Sequence, residues 1–231
     1  MAEISHFFPL TAYKAKLGLE KSYQAQLIEN IEKDYQDKNI NYKSNETAWT
    51  GDVRGFEFLH SRNLFENLFR EISKHVEEYC LTLKVAKNHF DFYYTRTWAT
   101  VTQYQQDIPL HQHKQSHITA VYYLKYPKDS GELLFEPYWN NVQNEFIPGL
   151  LSKQNFENSI IESSMYLSPG ASIKIDPDDV LIFPSKTSHG TAKSKSQESR
   201  ISISADIMAV LKDSSNREFF LPPLDKWKKF S

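Results

Sequence analysis

Two hydrophobic periods divide the chain. From Glu20 to Lys38, Tyr23, Leu27, Ile28, Ile31 and Tyr35 recur at the 3.6-residue spacing of one helix face, with charges opposite. A second helix is expected over residues 62–83. There Leu64, Phe65, Leu68, Phe69, Ile72, Val76, Tyr79, Cys80 and Leu83 form one stripe, with Ser61 as the expected N-cap. Beyond Lys87 the period drops to two. Phe90, Phe92, Tyr94, Trp98, Thr100, Thr102 and Tyr104 share one parity, so one long strand should present them on one face, interrupted only by Arg96. Shorter strands are expected at 116–125, 132–135, 171–175, 180–183 and 200–210, between turn signals such as Lys128-Asp129-Ser130-Gly131 and Pro169-Gly170.

Helices followed by short strands predict an α+β fold whose sheets form a sandwich or barrel. The 231 residues suit a single domain, 1–231. Residues 1–88 would be helical support, opening on an arm at 1–19 and crossing a polar, turn-rich stretch at 39–58. Residues 89–211 would be the sheet core, with an irregular insertion at 138–168 of the length of a lid, a binding loop or a surface elaboration. The tail, 212–231, is polar, and Lys226, Lys228 and Lys229 read as a solvated face.

Composition narrows the function classes. A net charge of −2 draws the chain neither to nucleic acid nor to anionic lipid, and no run of 18 apolar residues predicts a membrane span. The N-terminus lacks the cationic start and apolar run of a secretory signal, and a lone cysteine, Cys80, fits a reducing compartment. A cytoplasmic location is expected. On its helical stripe Cys80 reads as a small buried hydrophobe, not a reactive thiol.

The chemistry concentrates in two stretches. Leu110 to Pro127, LHQHKQSHITAVYYLKYP, sets His111, His113 and His117 at the mouth of an apolar strand. Residues two apart on an extended backbone share a face, so the imidazoles of His111 and His113 can reach one ion. His189 follows a second apolar strand, in a Ser188-His189-Gly190 turn, and can close a three-histidine site. Three neutral imidazoles bind divalent transition metals and leave positions open for water or substrate. His117 leads into the strand and reads as support; His6, His60, His75 and His89 have no partner in sequence. In RISISADIMAV, Arg200, Ser202, Ser204 and Asp206 alternate with Ile201, Ile203, Ala205 and Ile207. Turned inward, Arg200 and Ser202 make a carboxylate seat; turned outward, they are an ordinary solvated strand face.

At these residues the chain resembles the iron(II)- and 2-oxoglutarate-dependent dioxygenases, whose double-stranded β-helix (jelly-roll) core carries His-x-Asp/Glu, a distal His and a downstream Arg. The nearer resemblance is to a bacterial and phage group of such oxygenases with His-x-His. Its motifs stand here as His111-Gln112-His113, Val121-Tyr122-Tyr123-Leu124, Phe183-Pro184-Ser185 to His189, and Arg200-Ile201-Ser202-Ile203-Ser204, over residues 95–207. Trp49 and the helix at 62–83 are similar more loosely. The resemblance implies a hydroxylase-type oxidation of a small-molecule or peptide substrate, with Fe(II), O2 and 2-oxoglutarate, the last leaving as succinate and CO2. His111, His113 and His189 would hold iron, while Arg200 and Ser202 would grip the far carboxylate, with Tyr122 and Tyr104 in support. His113 stands where the wider superfamily has a carboxylate, which leaves the site one charge more positive. Asp107 and Glu132 are the alternative sources of that carboxylate, and neither has motif support. Two other readings share the motif: a cupin-like three-histidine metalloenzyme without 2-oxoglutarate, and a non-catalytic jelly-roll binding module. The cupin-like reading leaves Arg200-x-Ser202 unexplained.

Overall fold

The structure is a computed structural model that describes residues 10–37, 44–136, 159, 161, 170–214 and 217–230. Its helices are α1 (Lys21–Tyr35) and α2 (Glu66–Thr82). Its strands are β1 (Tyr13–Lys16), β2 (Trp49–Thr50), β3 (Phe90–Thr102), β4 (Ile108–His111), β5 (Ile118–Lys125), β6 (Leu133–Phe135), β7 (Ala171–Ile173), β8 (Asp179–Pro184), β9 (His189–Thr191) and β10 (Arg200–Leu211). They form a six-stranded sheet, β1-β8-β5-β10-β3-β2, and a four-stranded sheet, β4-β9-β6-β7. All the pairings between these strands are antiparallel, which gives a jelly-roll core.

Two apolar layers follow from the strand alternation. One face of the large sheet, carrying Ile201, Ile203, Ala205, Ala120, Tyr122 and Val180, packs against the helices through Leu27, Ile31, Leu68 and Ile72. Each fully buried side chain of that size stabilises the fold by roughly 1.5–3 kcal/mol. The opposite face packs on the small sheet through Val121, Tyr123, Leu133, Phe135, Leu181 and Phe183. The site opens between the two sheets.

Several details differ from the pattern of the sequence. Short 3-10 turns at Leu59–Ser61 and Asn63–Phe65 lead into α2, so Ser61 does not cap it. Tyr23 of α1 does part of that work, since its hydroxyl accepts from the Leu68 amide at 3.2 Å. The expected arm contains β1, which pairs with β8, and β4 and β9 are strands too short to show a period. His189 thus sits in β9, not in a turn.

The long strand does not keep one face. Its register against β10 shifts between Asp206 and Ile207, with Arg96 opposite Asp206 and Tyr94 opposite Ile207. Thr95 is the extra residue of a bulge, and its hydroxyl bonds the Asp206 carbonyl at 3.2 Å. Phe92 and Tyr94 therefore pack on the helix side, whereas Trp98 and Thr100 line the site. The 138–168 insertion lies outside the described residues apart from 159 and 161. Among the described residues no helix is long and apolar enough to cross a membrane.

Candidate metal centre

Strand pairing builds the centre. His111 ends β4 and stands opposite His189 of β9 in register, and β9 lies between β4 and β6. Such proximity needs a residue without a side chain beside it. A Cβ on Gly190 would meet the Ile108 carbonyl oxygen at 2.7 Å, so only glycine lets β4 approach β9 this closely. His113, two residues beyond His111, is held by its own amide, which donates to the Ser185 carbonyl at 2.9 Å. One ring nitrogen from each of His111, His113 and His189 lies within 4.8 Å of the other two.

The tautomers follow from the outer contacts. Each Nδ1 faces an oxygen acceptor: the Pro109 carbonyl for His111 (2.9 Å), an Asp206 carboxylate oxygen for His113 (2.6 Å) and the Thr187 carbonyl for His189 (2.8 Å). Carbonyls and carboxylates only accept, so every Nδ1 donates and every Nε2 is left as the free nitrogen. The Nε2 atoms of His111 and His113 are 3.1 Å apart. Two bare lone pairs at that distance repel unless a cation lies between them. Two imidazoles at right angles on one ion, with bonds of about 2.1 Å, would be about 3.0 Å apart. Burial also favours the metal-binding form. It pulls the His189 imidazole down to about 3, with the neighbouring His111 adding to the effect, and it lowers His111 too. The donor set fits a divalent transition metal such as iron.

Across the cavity lies Arg200, 1% exposed. Its Nη1 donates to the carbonyls of Ser130 (3.0 Å) and Gly131 (2.7 Å), and its Nη2 to the hydroxyls of Thr102 (3.0 Å) and Thr191 (3.1 Å). All four partners are neutral. Among the described residues no carboxylate forms an ion pair with it. Burial lowers its proton affinity, as expected for a cation in a low dielectric. Arg200, Ser202 and the three histidines line one cavity.

The tyrosines require correction. Tyr104 sits in a turn, 48% exposed, and does not line the cavity. Tyr122 faces the helices, where its hydroxyl donates to an Asp178 carboxylate oxygen at 2.9 Å. Its neighbour Tyr123 lines the cavity instead. Register carries the signal: Tyr123 pairs with Ser202, and Tyr122 with Ile203. Asp206, Thr102 and Thr191 are further site residues that the sequence reading did not single out. Among the described residues neither Asp107 nor Glu132 joins the three-histidine cluster. His117 stands apart from it as well, its Nδ1 accepting from the Ala209 amide at 3.2 Å. Arg96 lies 5.5 Å over the Trp98 ring and pairs with Asp52 at 3.7 Å.

The family described as "Putative 2OG-Fe(II) oxygenase" matches residues 96–206, the span that holds the three histidines, Arg200, Ser202 and Asp206. No curated protein matches the chain. Solved structures with the same fold include SnoN, a non-heme α-ketoglutarate-dependent epimerase from nogalamycin biosynthesis, with 12% identity, 89% of this chain and 82% of that chain covered, and a TM-score of 0.57. HygX from Streptomyces hygroscopicus, solved with nickel and 2-oxoglutarate bound, has 10% identity, 92% and 85% coverage, and a TM-score of 0.56. The viral collagen prolyl hydroxylase of Paramecium bursaria Chlorella virus-1 has 15% identity, 85% and 94% coverage, and a TM-score of 0.50. With a jelly-roll core, three histidines clustered on it and the family's motifs running from β3 to β10, residues 96–206 match the 2OG-Fe(II) oxygenases.

Proposed function

We propose that His111, His113 and His189 hold the Fe(II) of this oxygenase through their Nε2 atoms, and that Arg200 receives the far carboxylate of 2-oxoglutarate. One observation carries the reading. A cluster of three imidazoles with free Nε2 atoms and a buried guanidinium with no counter-charge among the described residues open onto the same cavity. A diacid that chelates a metal at one end and carries a carboxylate at the other satisfies both. With O2, the bound metal and 2-oxoglutarate supply the oxidising chemistry.

The protein's own part is binding, orientation and exclusion of water. The outer contacts fix each imidazole ring, so the donor nitrogens need not reorganise when metal arrives. The Thr191 hydroxyl, which accepts from Arg200, is a donor as well and completes the anion seat with Ser202. Tyr123, whose phenol burial keeps protonated, adds a donor beside Arg200. Phe135 and Phe183, against His189, keep bulk water from that side of the centre. The substrate is a small molecule or peptide, and a cytoplasmic setting suits the single reduced cysteine. A cupin-like enzyme without a 2-oxo acid would leave the charge of Arg200 unanswered among the described residues.

Anaerobic titration of Fe(II), then 2-oxoglutarate, into the full chain tests this. A visible charge-transfer band should appear at one equivalent of each and vanish in His113→Ala. A band that survives that substitution, or none in the wild type, would overturn the assignment.

A further inference from the structure

We propose that Asp206 supplies, from one bond further out, the negative charge that an all-histidine centre lacks, acting through His113 as a positioning and charge-compensating residue. The inference rests on the iron reading above. Asp206 is 1% exposed, and one carboxylate oxygen accepts from His113 Nδ1 at 2.6 Å and from Ser116 Oγ at 3.0 Å. The first contact is shorter than the usual 2.7–2.9 Å of a charge-assisted bond between nitrogen and carboxylate. Among the described residues its one ion-pair partner is that imidazole, with no Lys or Arg in reach. The surrounding hydroxyls pair with one another: Ser185 Oγ lies 2.8 Å from Ser116 Oγ and 2.9 Å from Thr119 Oγ1. A network built only for packing would not need a carboxylate there, since an unpaired buried charge is costly.

A cation at the far nitrogen of His113 removes that cost. A carboxylate that draws on the Nδ1 hydrogen pushes electron density to Nε2 and makes it a stronger ligand, as carboxylate–histidine pairs do at other metal centres. Where other members of the superfamily place a carboxylate directly on the metal, this chain would pass the charge through an imidazole. The cavity then balances. A dication and Arg200 face a dianionic diacid and Asp206, so the site as a whole is neutral when filled. The bulge at Thr95 shifts the β3 register opposite Asp206, so the pairing changes right where the carboxylate meets His113.

Asp206→Asn is the test, because the amide keeps the shape and still accepts from Nδ1 while losing the charge. Anaerobic titration with Co(II) and Fe(II) should show binding about 10- to 100-fold weaker than wild type. The Fe(III)/Fe(II) potential should move toward Fe(II), and the unfolding temperature of metal-free protein should stay. Ser116→Ala, which trims the same network but spares the charge, should bind within about threefold of wild type. Equal losses in Asp206→Asn and Ser116→Ala would mean the network is structural and would overturn the proposal, as would an Asn variant that binds like wild type. If Asn does not fold, Asp206→Ser, with space for a bridging water, is held to the same expectation. Misfolding of both would place the carboxylate in the service of the fold and overturn the proposal too. A wild-type chain that binds no metal would instead refute the iron reading itself.

Discussion

Replacing Arg200 with lysine separates the two jobs its guanidinium can have. The fork holds two carbonyls in the turn that precedes β6 and two threonine hydroxyls, and it offers its charge to the cavity. Lysine keeps the charge, loses the planar fork and cannot span all four acceptors. If the charge receives a carboxylate, the lost charge-assisted geometry should weaken 2-oxoglutarate binding by roughly 1.5–3 kcal/mol, about 10- to 150-fold. The carbonyls of Ser130 and Gly131, left without their donor, should also lower stability by about 1–3 kcal/mol. Metal affinity should hold, since Arg200 touches none of the three imidazoles. Isothermal titration of 2-oxoglutarate into metal-loaded wild type and Arg200→Lys, with urea unfolding and metal analysis alongside, reads all three quantities. A variant less stable yet equal in 2-oxoglutarate affinity would make Arg200 a clip for the 130–131 turn, and the reasoning about an uncompensated cation would fail.

The tyrosine pair gives a sharper contrast. Tyr123→Phe should weaken 2-oxoglutarate binding by about 1 kcal/mol at nearly unchanged unfolding temperature. Tyr122→Phe, which removes a donor to the Asp178 carboxylate, should instead lower stability by roughly 1.5–3 kcal/mol and leave that affinity alone; the reverse pattern in calorimetry would mean the register is misread. Gly190→Ala should push β4 from β9, with an overpacking cost of roughly 1–3 kcal/mol and weaker Co(II) binding; unchanged spectra would show that His111 does not depend on that approach. Acidification should destabilise metal-free protein. The folded imidazole of His189 sits at about 3, well below its usual 6.5, so the unfolded chain binds more protons in that window and stability is lost as pH falls. From pH 7 to pH 5 that group alone contributes a loss of about 2 kcal/mol, measurable by urea unfolding in chelator; a flat profile would mean the imidazole is not held neutral.

The helices were legible because an amphipathic stripe of 15 to 17 residues repeats its signal several times. Strands of three or four residues repeat nothing, so β4 and β9 were invisible although they carry His111 and His189. The His-x-His spacing still revealed the pair, because ligand chemistry needs two side chains on one face whatever the strand's length. Parity failed where the backbone departs from regularity. One extra residue, Thr95, turns Trp98 to the site and Tyr94 to the helices, and the interruption of the alternation at Arg96 is the one side-chain sign of a bulge there. Tyr122 and Tyr123 are adjacent and chemically identical. Only the partner strand, which sets Tyr123 beside Ser202, distinguishes them.

In strand β10 the alternation alone leaves two environments open. Its alternation of Arg, Ser, Ser and Asp with Ile, Ile, Ala and Ile is the pattern of a sheet with one face in water. A strand lining a polar cavity has the same pattern, and what separates the two is how its polar groups are satisfied. In water, solvent pairs each of them. Here Arg200 and Asp206, each 1% exposed, must find partners within the protein. Among the described residues Arg200 finds only neutral oxygens, and Asp206 only an imidazole and a hydroxyl. Six residues of strand, about 20 Å along the backbone, thus hold a buried cation at one end and a buried anion at the other, too far apart to neutralise each other. Among the described residues neither charge meets a fixed opposite charge. On the proposed function, a metal beside Asp206's histidine and a carboxylate beside Arg200 would answer both, and a chelating diacid would join them into one ligand.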